Sequence, residues 1–327
     1  MKRREFIGGL TGAAVWPLAT KAQAPKKMPR LCFLTFDPGT LQANRFEAFF
    51  HGMRDLGYVN GQNVEIDYLS AEANSERFPA LAEECLRREV DVIVVSTTPA
   101  AQVAMAATRT VPIIMIGLGD PVRTGLVKTL VEPGGNVTGL SLMVSEIGAK
   151  RLGLLKEALP NITRVLVLTY LADPIAPVQV DALQEAARSR GIKLQVRDIR
   201  SADDLPAAFE AAAAENAEAL LTTAESIFVA QRARVTELAA RYKIPAMYCY
   251  SRHVIDAGGL MAYEASYSDV IRRAASYVDR VLKGAKASDL PVGLPIEFEF
   301  SINLATAKAL GLTIPPAVLA ITDKVIE

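Results

Sequence analysis

The side chains that could bind a ligand follow the apolar runs of this sequence, at the points where strands would end. Ser96, Thr97 and Thr98 come directly after Val92–Val95, and the Pro99 that follows favours the first turn of a helix. Hydroxyl groups and unpaired N–H groups at a helix start suit a carboxylate or another small anion. The same residues also fit a plain helix start in which Thr98 caps its own helix, and the pattern leaves both interpretations open.

Two acidic residues occupy comparable loops. Glu225 lies in the hydroxyl-rich segment Thr222–Ser226, where it could pair with an ammonium group or be a solvated residue of a helix's first turn. Asp120 lies in Gly117–Pro121, which begins like a dinucleotide fingerprint but lacks the third glycine. Asp120 could therefore contact an amine or orient a hinge.

Aromatic residues end the first predicted strand of each half of the chain. Phe36 and Tyr170 stand at matching positions, where two rings could clamp a ligand or could simply belong to the core. Asp37 and Thr40 follow Phe36 in the same loop. The remaining polar and aromatic candidates for the site are Tyr250, Ser251, Tyr263 and Glu264.

Short β-branched runs alternate with amphipathic segments from residue 30 onward, which predicts parallel sheets joined by helices. Continuously apolar runs indicate strands that helices cover on both faces. The predicted strands are Arg30–Phe36, Asn63–Leu69, Val90–Ser96, Val111–Gly117, Thr163–Thr169, Ile192–Ile199, Ala217–Thr223, Ile244–Cys249, Leu260–Glu264 and Pro295–Phe300. The predicted helices are Leu41–Leu56, Ser75–Arg88, Ile147–Leu159, Val178–Ser189, Ile227–Tyr242 and Ser268–Leu282.

The two halves of the chain resemble each other. Arg30–Phe36 matches Arg164–Tyr170 at an offset of 134, which also carries Gly57 onto Gly191. Such a duplication predicts two α/β lobes of one plan. Ligands bind beyond the carboxyl ends of parallel strands, so facing lobes would form a cleft that closes by hinge motion. The candidate hinges are Val137–Leu142, Ala262–Tyr267 and Gly293–Glu297.

Composition excludes several classes of protein. The 327 residues are 50% hydrophobic, and 36 Lys and Arg balance 36 Asp and Glu, which excludes disorder and argues against nucleic-acid binding. Three cysteines are too few and too scattered for a disulfide framework or a metal cage. The chain contains no nucleophile elbow, zinc-binding helix motif or phosphate loop, so we expect neither catalysis nor a cofactor.

The N-terminus has the order of an export signal. Lys2, Arg3 and Arg4 precede the apolar stretch Phe6–Ala19, and small residues follow. Residues 1–24 are therefore predicted to be a signal peptide cleaved after Ala22 or Ala24, and the Arg pair is typical of the twin-arginine route. The alternatives are an ordinary buried helix or a membrane anchor. We expect a soluble periplasmic protein.

Several motifs resemble the ABC-transporter substrate-binding family of the tryptophan/tyrosine transport type. The similarity covers nearly the whole chain after the signal. The segments that carry it are Thr98–Gln102, Val111–Ile113, Gly119–Val122, Gly125–Val127, Pro133–Ser141, Asp256–Met261 and Asn303–Pro316.

This resemblance implies a type I periplasmic-binding-protein fold, with two Rossmann-like lobes, parallel sheets and a three-segment hinge. It also implies a non-enzymatic protein that delivers a small solute to an ABC permease in the inner membrane. Some members take aromatic amino acids. Where the family usually has Tyr-Gly, this chain has Tyr263-Glu264, which adds bulk and a carboxylate near a hinge.

The combined expectation is a monomer that binds a small organic solute, such as an aromatic or branched amino acid, between its lobes. Lobe 1 would comprise 28–139 plus about 265–295, and lobe 2 would comprise 140–264 plus about 296–327. The ligand's carboxylate would lie near Ser96, Thr97 and Thr98, and its ammonium near Asp120, Glu225 or Glu264. The alternative is an exported, oxidoreductase-like enzyme with a nucleotide or flavin cofactor.

Overall fold

Strands and helices alternate through most of the computed structural model, which describes residues 28–36 and 46–327. The strands are β1 Arg30–Thr35, β2 Glu65–Ser70, β3 Val92–Val95, β4 Ile113–Leu118, β5 Val137–Ser141, β6 Arg164–Thr169, β7 Lys193–Asp198, β8 Ala219–Thr222, β9 Ala246–Tyr248, β10 Met261–Ala265, β11 Phe298–Asn303 and β12 Lys324–Ile326. The helices are α1 Glu47–Asp55, α2 Phe78–Arg87, α3 Thr98–Ala107, α4 Val144–Ala158, α5 Ala176–Arg188, α6 Asp204–Ala214, α7 Ser226–Ala230, α8 Arg232–Arg241, α9 Arg252–Ile255, α10 Tyr267–Leu282, α11 Leu304–Ala309 and α12 Pro316–Leu319.

The two sheets repeat one winding order. The five-stranded sheet runs β2-β1-β3-β4-β5, and the seven-stranded sheet runs β7-β6-β8-β9-β10 before adding β11 and β12. The first five strands of each sheet therefore follow the same plan, as the sequence duplication predicts. We call the five-stranded sheet with its helices the first lobe, and the seven-stranded sheet with its helices the second lobe.

The core of each lobe lies on both faces of its sheet. Every residue of β3 is buried, with side chains alternating between two separate apolar clusters. In the second lobe, β6 divides its side chains between two further clusters in the same way. Continuous apolar strands are stable here because helices cover both faces of the sheet.

The chain crosses between the lobes three times. It passes from β5 to α4, which packs on α5 in the second lobe, and returns from β10 to α10, which packs on α1 in the first. The third crossing leads through Gly293–Glu297 into β11. There the Ser266 N–H donates to the Glu297 carbonyl at 2.8 Å, which joins two of the crossing segments.

Strand β11 departs from the predicted all-parallel sheet, because it pairs antiparallel with β10. The cause is the connection: β10 ends where the chain leaves the second lobe, and β11 begins where it re-enters beside that point. Strands β5 and β12 were not predicted. The predicted helix Ile227–Tyr242 is divided at Gln231 into α7 and α8.

Gly139 explains why β5 is difficult to see in the sequence. Its φ is 130°, and a Cβ at this position would collide with the backbone of Met115 on β4. The strand therefore requires a glycine at its centre, which lowers its apparent β propensity.

Cys32 and Cys85 form a disulfide between β1 and α2. Three scattered cysteines were expected to form no disulfide framework, and this single disulfide was not predicted, because only the fold brings together two residues that are 53 positions apart. Cys249 is a free, buried thiol.

Among the residues that the structure describes, no helix is long and apolar enough to cross a membrane. Over the same residues, no three metal-ligating side chains come together in a way that could hold an ion.

Candidate functional site

A small cavity of about 30 Å³ lies between the carboxyl ends of the two sheets. Its first-lobe wall contains Ser96–Thr98 and Gly117–Gly119, which follow or end β3 and β4. Its second-lobe wall includes Asp173, Ser226 and Tyr250. Loops from both sheet edges therefore meet at one place, which is where ligands bind in open parallel sheets.

The first-lobe wall is the start of α3. The Thr97 hydroxyl accepts a hydrogen bond from the Ala100 N–H at 3.4 Å, so Thr97 is the N-cap and Thr98 is already helical. The interpretation that Thr98 caps its own helix was thus wrong by one residue. Ser96 is 8% exposed, and its Oγ has no hydrogen-bond partner among the described residues. A buried hydroxyl without a partner at a helix start is suited to an anionic ligand group.

Asp173 provides a carboxyl group on the opposite wall. It is 8% exposed and accepts a hydrogen bond from the Ile175 N–H at 3.1 Å. Burial raises the pKa of Asp173 to about 6. Asp173 was not predicted to belong to the site, although it stands in the loop after Tyr170 and its position after β6 was the available signal.

Glu225 lies behind this wall in a hydrogen-bonded network. Gln179 Nε2 donates to the Glu225 carboxyl at 2.7 Å, and the Thr223 hydroxyl contacts its other oxygen. Burial is the main cause that raises the pKa of Glu225 to about 8, and the charge of Asp173 adds to it. Glu225 is therefore held by neighbouring side chains of its own lobe.

Asp120 connects the two lobes near the first crossing. The same oxygen of the Asp120 carboxylate accepts two hydrogen bonds, one from the Ser145 N–H at 3.3 Å and one from the Ser145 hydroxyl. Ser145 belongs to the first turn of α4 in the second lobe. This arrangement corresponds to the orienting role that the sequence left open for Asp120.

The lobes touch directly around the cavity. A Cβ on Gly119 would lie 2.7 Å from Ile175 Cγ1 of the second lobe. Burial raises the pKa of the Tyr170 phenol, and the neighbouring Ser75 side chain of the first lobe acts to lower it. These contacts describe a closed arrangement of the two lobes.

A larger cavity of about 210 Å³ adjoins the hinge. Its polar lining comprises Glu264, Glu299, Arg252 and three serines, Ser251, Ser266 and Ser268. Tyr250 and Tyr267 line both this cavity and the smaller one. The Ser251 N–H donates to the Glu264 carboxylate at 3.0 Å. Burial raises the pKa of Glu264 to about 7, against the opposing effect of hydrogen bonds from Ser251.

Arg151 lies on the far side of Glu264. It is 2% exposed, its Nε donates to the Tyr263 carbonyl at 2.7 Å, and its Nη1 has no partner among the described residues. It lines a void of about 10 Å³ together with Cys249 and Glu264. Arg151 was not predicted from the sequence, because an arginine in an amphipathic helix pattern usually faces water.

The remaining candidates fall into different environments. Phe36 is buried in an apolar cluster of the first lobe. The Tyr263 ring stacks on Phe298 with centroids 6.0 Å apart, and the Tyr250 hydroxyl donates to the Ala224 carbonyl at 2.7 Å. Asp37 and Thr40 lie outside the described residues.

Two lobes of one winding order, joined by three crossings and facing each other across a cleft, define a type I periplasmic-binding-protein fold. A model of the ABC transporter substrate binding protein family matches residues 39–326. The chain therefore belongs to this family.

Several known proteins are similar to this chain. A tyrosine-binding protein of Clostridioides difficile (strain R20291) is 29% identical over 266 residues, which cover 81% of this chain and 76% of that protein. An ABC domain from Streptococcus pneumoniae in complex with L-Trp is 25% identical, with a TM-score of 0.84 and coverage of 91% of this chain and 99% of that one. The comparisons favour a binding protein over the alternative of an exported enzyme.

A third relative bears on the arrangement of the lobes. The ligand-free, open structure of a substrate-binding protein with adhesive properties from Clostridium difficile is 26% identical over 91% of this chain and 99% of that one, with a TM-score of 0.67. The L-Trp complex gives a higher score of 0.84 at nearly the same identity. This difference agrees with the interlobe contacts at Gly119 and Tyr170.

Proposed function

We propose that this chain is the exported, periplasmic binding subunit of an ABC importer and that it captures an amino acid between its lobes. An aromatic amino acid is the first candidate, because the relatives include a tyrosine-binding protein and a protein in complex with L-Trp. In this proposal the chain delivers its ligand to a permease in the inner membrane, a role that its family membership supports.

The buried Ser96 hydroxyl carries this proposal. It has no protein partner among the described residues, and it lies at the start of α3 in the interlobe cavity. In our proposal the ligand's carboxylate binds there, between the Ser96 and Thr97 side chains and the first N–H groups of α3. A zwitterion also needs a partner for its ammonium group, since a buried unpaired charge is costly.

Two of the three residues proposed for the ammonium already have side-chain partners within the protein. The Ser145 hydroxyl donates to Asp120, and Glu225 is hydrogen-bonded to Gln179 and Thr223. Asp173, which faces the same cavity as Ser96, is the added candidate. We propose that Asp173 binds the ammonium group, which leaves Glu264 available to another part of the ligand.

Titration calorimetry of the purified chain against the twenty amino acids tests the proposal. Ser96→Ala should weaken binding by about ten- to a hundredfold, since a hydrogen bond to a charged group is lost. Ser276→Ala on the exposed face of α10 is the matched control and should bind normally. Binding of an uncharged or purely anionic solute, with no response to any amino acid, would reject the function.

Export is a separate part of the proposal. Residues 1–24, predicted as the signal peptide, lie outside the described residues. N-terminal sequencing of protein from the periplasmic fraction should find Gln23 or Pro25 as the first residue. An intact Met1 in the cytoplasmic fraction would contradict export.

The proposed protein acts as a monomer that needs no cofactor or nucleic acid. Its lobes comprise 28–139 plus about 265–295, and 140–264 plus about 296–327. Hinge motion at the three crossings would open the cleft for the ligand. Light scattering of the purified chain, with and without ligand, measures the oligomeric state.

A further inference from the structure

Two glutamates face each other across the hinge strands. Glu264 on β10 and Glu299 on β11 are direct partners in the antiparallel pairing. Residues in this relationship point to the same face of the sheet, with Cβ atoms about 4.5–5.5 Å apart, and like charges at such positions are destabilising. A pair of this kind is therefore an unusual feature unless something else interacts with it.

Both carboxyl groups line the cavity of about 210 Å³ between the lobes. A cavity of about 150 Å³ is large enough to hold benzene. The apolar part of the lining comes from both lobes, with Ala48 and Ile271 from the first and Val229 from the second. The neighbouring cavity at Ser96 is about 30 Å³, so the bulk of a ligand fits the larger one.

The protein's own groups use only part of the acceptor capacity of these carboxyls. The Ser251 N–H donates to Glu264 at 3.0 Å, the Ser251 side chain also interacts with this carboxyl group, and the Ser301 hydroxyl donates to Glu299 at 3.0 Å. Arg252 also lines the cavity, but its guanidinium lies 3.5 Å from the Asp256 carboxylate. An ionised carboxylate accepts about four hydrogen bonds, so acceptor positions remain on both glutamates.

We propose that Glu264 and Glu299 recognise a hydrogen-bond donor at the tip of the ligand's side chain, so that the protein selects amino acids ending in an O–H or N–H group. This inference rests on the proposed function. The ligand's carboxylate lies at Ser96, and its side chain extends past Tyr250 and Tyr267, which line both cavities. A phenol, an indole N–H or a protonated amine provides the required donor.

The protein can discriminate between ligands with and without a side-chain donor because acceptor positions on Glu264 and Glu299 are left open. A ligand that lacks the donor leaves desolvated carboxyl oxygens without a partner, and a site built for a hydrogen bond discriminates strongly against such a ligand. We expect phenylalanine to bind at least about tenfold more weakly than tyrosine, since hydrogen bonds to charged groups are among the stronger ones.

Titration calorimetry on the purified chain with matched ligand pairs provides the test. Tyrosine against phenylalanine tests a neutral donor, and lysine against norleucine tests a cationic one. In each pair we expect the donor-bearing ligand to bind more tightly, and the pair with the larger ratio identifies the type of donor.

Variants assign the effect to these residues. Glu264→Ala should reduce the tyrosine-to-phenylalanine ratio to within about threefold of unity, and Glu264→Gln, which keeps one acceptor oxygen, should give an intermediate ratio. Glu299→Gln should also lower the ratio. The control is Glu297→Gln, an exposed residue of the same segment, which should keep the wild-type ratio. Thermal melting of each variant verifies folding.

The outcomes separate this inference from the proposed function. Equal binding of both members in each pair, or an unchanged ratio in folded Glu264→Gln and Glu299→Gln, overturns the inference while amino-acid binding stands. Tighter binding of an amino acid that lacks a side-chain donor also overturns the inference and leaves amino-acid binding standing. Failure to bind any amino acid rejects both.

Discussion

The Thr223 hydroxyl contacts the Glu225 carboxyl and also lies 3.0 Å from the Leu168 carbonyl oxygen. A hydroxyl has one proton, so it cannot donate to both oxygens. The Ala224 N–H donates to Gln179 Oε1, which orients the Gln179 amide N–H towards the other Glu225 oxygen. A protonated Glu225 satisfies every group, because it can donate to Thr223 while Thr223 donates to Leu168.

The unfolding free energy should therefore depend on pH through Glu225. Its pKa is about 8 in the folded chain against an ordinary 4.5, so the folded state keeps a proton that the unfolded state has released. Stability should fall as the pH rises from about 5 to 8, by a few kcal/mol, since one pKa unit corresponds to about 1.4 kcal/mol. Urea unfolding of the ligand-free chain across this range measures the slope.

The Glu225→Gln variant tests whether Glu225 causes the change of unfolding free energy with pH. The glutamine amide can donate to Thr223 and accept from Gln179, but it does not titrate. We expect the variant to have a shallower slope than the wild type, with the remainder coming from Asp173 and Glu264, whose pKa values burial also raises. Exposed Glu237→Gln on α8 should keep the wild-type slope. An equal slope in Glu225→Gln and the wild type would assign the proton uptake to other groups.

Gly119 should control closure of the cleft. A Cβ there would lie 2.6 Å from Val144 Cγ2 and 2.7 Å from Ile175 Cγ1, both in the second lobe. Gly119→Val should oppose closure by about 1–3 kcal/mol, or roughly five- to a hundredfold in affinity. Small-angle scattering of the variant with ligand should show a larger radius of gyration than the wild type.

Gly135→Val is the matched control for this substitution, because a Cβ at Gly135 has open space around it. We expect it to bind and close normally. If Gly119→Val also binds with wild-type affinity, the interlobe contact does not limit closure.

The Cys32–Cys85 disulfide should stabilise the first lobe. Its sequence separation of 53 residues corresponds to about 4 kcal/mol in the chain-entropy model. The Cys32→Ala/Cys85→Ala variant should therefore have a lower free energy of unfolding, by about 2–4 kcal/mol. Urea unfolding measures the difference.

Dithiothreitol provides the control for the disulfide. It should lower the melting temperature of the wild type and leave that of the double variant unchanged. Thiol titration of the unreduced, unfolded wild type should give one thiol, from Cys249. Three thiols would show that Cys32 and Cys85 are not bonded in the purified protein.

Local patterns were sufficient to predict the alternating elements and the duplicated winding, because both follow from apolar periodicity. They could not predict the β10–β11 pairing, which depends on the path of the chain through the first lobe. The Cys32–Cys85 pairing and the partners of Asp173 likewise depend on tertiary contacts. The Ser96–Thr98 segment was identifiable because a hydroxyl run between a buried strand and a helix start is a local signal.

Arg151 should stabilise the hinge strand and influence Glu264. Its buried Nε donates to the Tyr263 carbonyl at 2.7 Å, one residue before Glu264. Arg151→Met keeps the length and apolar stem of the side chain but removes its donors and charge. We expect a loss of about 1–3 kcal/mol in the free energy of unfolding, because a buried carbonyl loses a hydrogen bond to a charged group.

The same substitution should raise the pKa of Glu264, since the charge of Arg151 acts to lower it. Carboxyl ¹³C chemical shifts followed by NMR across a pH series measure this change, with Lys150→Met on the exposed side of α4 as the control. If the titration midpoint of Glu264 is unchanged in the folded Arg151→Met protein, the charge of Arg151 does not act on Glu264. An upward shift would place more of Glu264 in its neutral form near pH 7, and the affinity for a cationic side chain should then fall more than the affinity for a phenol.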